Sequence, residues 1–220
     1  MPILEFAPIN LDPGVTTANE SALAVFRKCL SAINKAPGVS GMRFMKCTSD
    51  QSIIVLHGVW ATVEDHSDFL ESGKMTSLLM DLKDFITMRE VLQLDLTEIT
   101  DAQKEVLASP ELVSASFKLR PANHEKFEAA VESVLKSKTG AEVVTAWKIK
   151  DEESFKKAED FGRVGLGQER EEKNGTNGRE DPDTWTMIVK KGDAAFVDEI
   201  KTKVKGFVEA EEVLTWDILL

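Results

Sequence analysis

One order of elements occurs twice along the chain, roughly 100 residues apart, and this limits the fold more than any other feature. In the first copy, Pro2 to Ile9 reads as an apolar strand closed by the turn Asp12-Pro13-Gly14. Thr17-Ala-Asn-Glu20 has the pattern of a capping box, and Ala22, Phe26, Cys29, Leu30 and Ile33 then recur at helical spacing until Pro37-Gly38. Val39 to Cys47 follows as a strand, with Val39, Gly41, Arg43 and Met45 on one side and Met42, Phe44 and Lys46 on the other. Ile53 to Trp60 is an apolar, β-branched run of strand length. It leads through Thr62, a side-chain N-cap, into a helix carrying Val63, His66, Phe69 and Leu70 and continuing through Leu78, Leu79 and Leu82. Val91, Leu92, Leu94 and Leu96 form a fourth strand, so the order is β-α-β-β-α-β.

The second copy repeats that order. Leu112 to Leu119 is a strand, and Asn123 caps a helix with Phe127, Ala130, Val131, Val134 and Leu135 on one stripe, stopped by Thr139-Gly140. Val143 to Ile149 and Trp185 to Val189 are strands. Asp193 caps a helix bearing Phe196, Ile200, Val204 and Phe207, and Val213 to Leu219 closes the set. Phe26 corresponds to Phe127, and Phe44 to Trp147. The domain reading is a first repeat over 1–100 and a second over 108–220, the latter interrupted at 151–183 by a charged, glycine-containing insertion. A short helix around Glu153 to Phe161 and a solvated loop beyond it are expected there. The fold class is α+β: two tandem ferredoxin-like (βαββαβ) repeats. A four-stranded sheet with helices on one face must have its other apolar face covered, and the second copy supplies a cover within the same chain.

Charge narrows the partners. A net charge of −11 argues against nucleic acid and against anionic membrane surfaces. No run approaches the roughly 20 apolar residues of a membrane span, and Met-Pro-Ile-Leu-Glu-Phe lacks the basic start of a signal peptide. Two cysteines, Cys29 and Cys47, fit buried thiols in a reducing compartment, so a cytoplasmic location is expected. With no tyrosine, acid–base chemistry falls to three histidines, carboxylates or lysines. Metal-ligand spacing is lacking, and Gly162-Arg-Val-Gly-Leu-Gly167 has neither the leading strand nor the trailing Lys-Ser/Thr of a phosphate cradle. No cofactor is expected.

Gly58-Val-Trp-Ala-Thr-Val-Glu-Asp-His-Ser-Asp-Phe-Leu-Glu-Ser72 resembles the strand-to-helix signature of the dimeric α+β barrel, or antibiotic-biosynthesis-monooxygenase-like (ABM), superfamily. In that signature a Trp ends the third strand and a small polar residue, an acidic residue, a His or apolar residue, an aromatic and a Ser follow. Tandem chains of this length resemble fungal members of the group. The resemblance implies that the two sheets pack face to face as an intramolecular α+β barrel, with a cavity for small apolar molecules between them. It also implies activities such as cofactor-free oxygenation of polyketide quinones, polyketide cyclisation, haem degradation or lactone isomerisation. Where related cyclases carry a catalytic His after this helix, the chain has Lys74 or Met75.

Several residues stand out. His57 is polar within an apolar strand, and either makes a satisfied core hydrogen bond or lines a pocket. Arg43 alternates with apolar side chains and needs either water or a carboxylate, with Glu5 and Glu90 nearby in strand order. His66 has a helix-packing reading beside a catalytic one, Trp60 is core or pocket wall, and His124 in a first helical turn is expected to be exposed. The resulting expectation is a protein that binds a small hydrophobic or aromatic molecule. As a secondary-metabolite tailoring enzyme (polyketide-like cyclase, isomerase or monooxygenase) it would use His57, Arg43 and His66 catalytically, with Trp60, Trp147, Phe44 and Met45 against the substrate. The alternatives are a non-catalytic ligand-binding, stress-associated or scaffold protein and, third, a haem-handling oxygenase. Pairing into a homodimer stays open.

Overall fold

The computed structural model describes residues 1–89, 91–137, 142–149 and 183–220. The insertion expected at 151–183 lies outside them except for Asp183, as do Glu90, the Thr139-Gly140 stop and the helix expected near Glu153. The chain divides into two compact units: one draws on Met1–Ile99 with Ile149 and Asp217–Leu220, the other on Thr100–Lys148 and the described residues up to Trp216.

In the first unit, β1 (Ile3–Leu11) pairs antiparallel with β3 (Ile53–Trp60), which pairs antiparallel with β2 (Val39–Cys47). The other edge of β1 takes two short strands, β4 (Ile86–Met88) and β5 (Leu92–Asp95), where one was expected. The spatial order of fourth, first, third and second is ferredoxin-like. Helix α1 (Glu20–Ile33) starts at Asn19, not Thr17: the Asn19 side chain accepts from the Ala22 N–H. It buries Ala22, Phe26, Cys29, Leu30 and Ile33, the stripe read from spacing. Thr62 caps α2 (Val63–Glu71) by accepting from the Asp65 N–H at 3.0 Å. The expected continuous helix breaks at Ser72-Gly73. Gly73 sits at φ 72°, where a side chain is disfavoured, and α3 (Lys74–Leu82) starts afresh.

The face of β2 also changes along its length. Gly41 (φ 66°) and Met42 together oppose Gly58, a β-bulge between the pairs Ser40↔Val59 and Arg43↔His57. The extra residue shifts the alternation, so Val39 packs with Trp60 on the helix-facing side while Arg43 and Met45 face the other way. Strict alternation had placed Val39 with Arg43. The bulge brings Met42 so near that a Cβ on Gly58 would lie 2.6 Å from the Met42 Cα.

The second unit orders its strands β9 (Ala210–Ile218), β6 (Glu111–Leu119), β8 (Asp183–Lys190) and β7 (Val143–Trp147), again fourth, first, third, second. Its described helices are α4 (Asp101–Leu107), which was not anticipated and is opened by a Thr100/Gln103 capping box, α5 (His124–Ser137) and α6 (Ala194–Val204). Asn123 and Asp193 end short 3-10 turns instead of capping: the Asn123 amide donates to the Phe207 carbonyl, and Asp193 makes no capping bond. Within each unit the first helix sets an aromatic ring against the second strand: Phe26 on Phe44 at 5.2 Å, Phe127 on Trp147 at 6.1 Å.

The bulge generates a stability prediction. Gly58→Ala should cost about 1–3 kcal/mol, the usual penalty of overpacking a filled interior, read as a lower urea midpoint. An unchanged midpoint would show that the Gly58–Met42 approach relaxes freely.

Candidate functional site

A carboxylate lies on the helix-facing side of the first unit's sheet. Glu5 is the third residue of β1, directly opposite Gly58 on β3 and Gln93 on β5. It is buried among Ile3, Ala7, Leu56 and Trp60. A charge there requires donors, because desolvation otherwise costs several kcal/mol. The Trp60 indole Nε1–H donates to Glu5 Oε2 at 2.7 Å. His66 on α2 brings its Nε2 within 3.6 Å of the same oxygen, and its ring meets Trp60 edge-on at 5.0 Å. Gln93 Nε2 lies 2.8 Å from His66 Nδ1, so the four side chains form a connected buried set.

Beside this set is a cavity of about 40 Å³, walled by Glu5, Cys29, Phe44, His66, Met75 and Leu79 among others. At 10–15 Å³ per water-sized centre it has room for about three waters, well below a drug-sized site. Its far wall is α3 and its near wall the end of α2, so the Gly73 break lies where the wall would have to move. Burial pushes His66 below the usual imidazole range, partly offset by Glu5, so the ring is neutral at pH 7. Burial, reinforced by Glu5 and Asp81, raises the Cys29 thiol to about 12, which leaves it protonated and a poor nucleophile.

The residues singled out from sequence do not converge on one cavity. His66 and Phe44 line the cavity and Trp60 orients Glu5. His57, Arg43 and Met45 are on the opposite face of the same sheet, as the pairs Phe6↔His57 and Arg43↔His57 require. Phe44 and Met45, grouped as one binding surface, point apart because they are adjacent in a strand. Glu5 faces Trp60 and is therefore not the carboxylate for Arg43. His57 is fully buried, its Nε2 lies 3.1 Å from Met45 Sδ, and its Nδ1 has no hydrogen-bond partner among the described residues. Burial, then Arg43, lowers its pKa to about 3. Burial also lowers that of Arg43.

Trp147 belongs to the second unit, where its ring stacks on His124 at 4.3 Å and its N–H donates to Glu128. His124 is not exposed as expected: its Nε2 lies 2.8 Å from the buried Asp183. Glu5 and Gln93 were missed as site residues. The available signal was a charged and an amide side chain inside two otherwise apolar strands.

A haem group, the third sequence reading, does not fit the cavity at Glu5. The space is far smaller than a macrocycle, and both His66 nitrogens face protein groups. Among the described residues, no helix is long and apolar enough to cross a membrane.

No family model matches the chain, and no curated protein matches it in sequence. Solved structures do. A candidate monooxygenase from Lactobacillus acidophilus NCFM superposes with a TM-score of 0.57 at 12% identity, over 100% of this chain and 94% of that one. An anthrone oxidase-like protein gives 0.56 at 12% identity over 98% and 91%. A chlorite dismutase from Candidatus Nitrospira defluvii gives 0.52 at 10% over 99% and 92%. The chain has the fold these proteins share.

Buried neutral histidines give a signed pH prediction. Both His57 and His66 have folded pKa values below the unfolded 6.5, so their stabilising contribution is full above pH 6.5 and is lost as pH falls toward the folded values. For His57 the loss runs from 6.5 toward about 3, at roughly 1.4 kcal/mol per pH unit. Urea unfolding of His57→Leu between pH 6.5 and 5 should therefore show a shallower decline than the parent. Parallel declines would mean that His57 charges in the folded state.

Proposed function

We propose that the chain binds a small, mainly apolar molecule at the Glu5 cavity and that Glu5 acts there as a cofactor-independent general base. The observation that carries the reading is a buried carboxylate at the wall of an apolar cavity, held by one indole N–H and faced by a neutral imidazole. Such groups are costly to keep and cluster at functional sites. Trp60 and His66 both address Oε2, which leaves Oε1 to meet a substrate proton.

The chemistry is proton abstraction from an acidic C–H or O–H, such as that of a phenol or a carbon next to a carbonyl. The bond to hydrogen breaks, the proton passes to Glu5, and the electron pair remains on the substrate as an enolate or phenolate. Return of the proton to another carbon is isomerisation, and attack on an internal carbonyl is cyclisation. Reaction of the electron-rich anion with dioxygen is oxygenation, with dioxygen as the oxidant. Of Lys74 and Met75, the two candidates for the position where related cyclases carry a His, Met75 lines the cavity but offers no proton-transfer group. The acid–base role therefore moves to β1. His57 and Arg43 face away from this cavity, and a catalytic role for them belongs to a different surface of the sheet. The tandem, fungal-type character and the closed barrel inferred from element order are part of the same proposal.

A second reading, a non-catalytic ligand-binding or scaffold protein, is favoured by the small cavity volume. Turnover separates the two. Against a panel of enolisable phenols and anthrone, Glu5→Gln should lower kcat by about 10²–10⁴-fold, the usual contribution of a general base, with Kd changed less than about tenfold. Retained turnover would remove Glu5 as the base, and binding without turnover in the parent protein would favour the carrier.

A further inference from the structure

We infer that Gln93 is a positioning residue that holds His66 in its Nε2–H tautomer, so that the ring N–H faces Glu5 and His66 does not itself act as a base. The inference rests on the Glu5 reading above for its catalytic meaning, but its structural content stands on four distances and one register.

Glu5 and Gln93 are cross-strand partners on β1 and β5, so their side chains leave the sheet side by side on the helix-facing surface. His66 descends from α2 onto both, with Nδ1 2.8 Å from the Gln93 amide nitrogen and Nε2 3.6 Å from Glu5 Oε2. An NH₂ group only donates, so Nδ1 must accept and the ring proton of a neutral imidazole must sit on Nε2, facing the carboxylate. Rotating the amide would place its oxygen against Nδ1 and move the ring proton there. The bare Nε2 lone pair would then face a carboxylate already bonded to Trp60, a repulsive arrangement. The two orientations are not equivalent, and Glu5 selects the first.

The consequence for the site is specific. With Nδ1 committed to Gln93 and Nε2 already protonated, His66 has no lone pair for a substrate proton. Glu5 is the acceptor, with the Trp60 N–H bonded to its Oε2 and the His66 ring edge facing the same oxygen. Gln93 is buried, at 1% exposed, and its main-chain carbonyl accepts the Ile149 N–H at 2.8 Å. The titratable groups around His66 at the cavity wall are Glu5 on β1 and Cys29 on α1, and α3 contributes only apolar side chains there.

The test is a long-range ¹H–¹⁵N correlation spectrum of the full chain, with His66 assigned against His57→Leu and His124→Gln variants. The parent protein should show a protonated-type Nε2 and a bare-type Nδ1 for His66 from about pH 6 to 8. Gln93→Met, which keeps the volume and loses the donor, should raise the Nδ1–H share above the parent's, with Glu5 alone left to favour Nε2–H. Gln93→Glu should draw a proton to Nδ1 and shift the His66 titration midpoint upward. A proton on Nδ1 in the parent, or a Gln93→Met spectrum like the parent's, would overturn the inference. If Gln93→Glu fails to fold, the parent and Gln93→Met spectra still decide. Because none of these readouts uses a substrate, a confirmed tautomer combined with full turnover in Glu5→Gln would sink the catalytic reading alone.

Discussion

A carboxylate placed inside an apolar sheet face has to be held, and the hydrogen bond from Trp60 to Glu5 is what holds it. A bond to a charged group contributes about 1.5–3 kcal/mol, and leaving the charge without it costs more. That requirement links β1 to the end of β3, where Trp60 sits, and to α2, whose His66 packs on the indole edge. The strand-turn-helix from Ile53 to Glu71 therefore has two tasks: it buries Trp60 and Phe69 against the sheet, and it brings the Trp60 donor and the His66 ring to Glu5.

The glycines at this joint follow from the same constraint. Gly58 lies opposite Glu5, and the space its missing side chain leaves is filled by Met42 from the bulge on β2. The bulge also turns Arg43 to the opposite face, so the cation and the carboxylate do not pair across the sheet. The two faces thus keep distinct chemistries. One carries Glu5, His66 and Gln93 beside a cavity. The other carries His57, held neutral by burial, next to Arg43.

Much of the fold was legible because it is local. Strand runs, the Thr62 cap and the apolar stripe of α1 are set by residues within a few positions of one another. Ser72-Gly73 and Gly41 were visible too, but a glycine alone does not say whether it ends a helix or creates a bulge; that depends on the facing strand. The Glu5 set was illegible for a different reason. Trp60 lies 55 positions from Glu5, and Gln93 lies 27 from His66. Only strand order brings them together. A lone Glu in an apolar strand signals a buried charge without naming its donors, so His57, the more conspicuous polar residue, drew the assignment. It sits on the face away from the described cavity.

The central claim is that the cavity at Glu5 admits a small apolar molecule whose proton meets the carboxylate. A crystal structure with a bound phenol tests it most directly. The account predicts the phenol hydroxyl within hydrogen-bond distance of Glu5 Oε1, Trp60 still donating to Oε2, and α3 displaced about the Gly73 break. Phenol bound elsewhere, with Met75 and Leu79 still closed over an unchanged cavity, would contradict it.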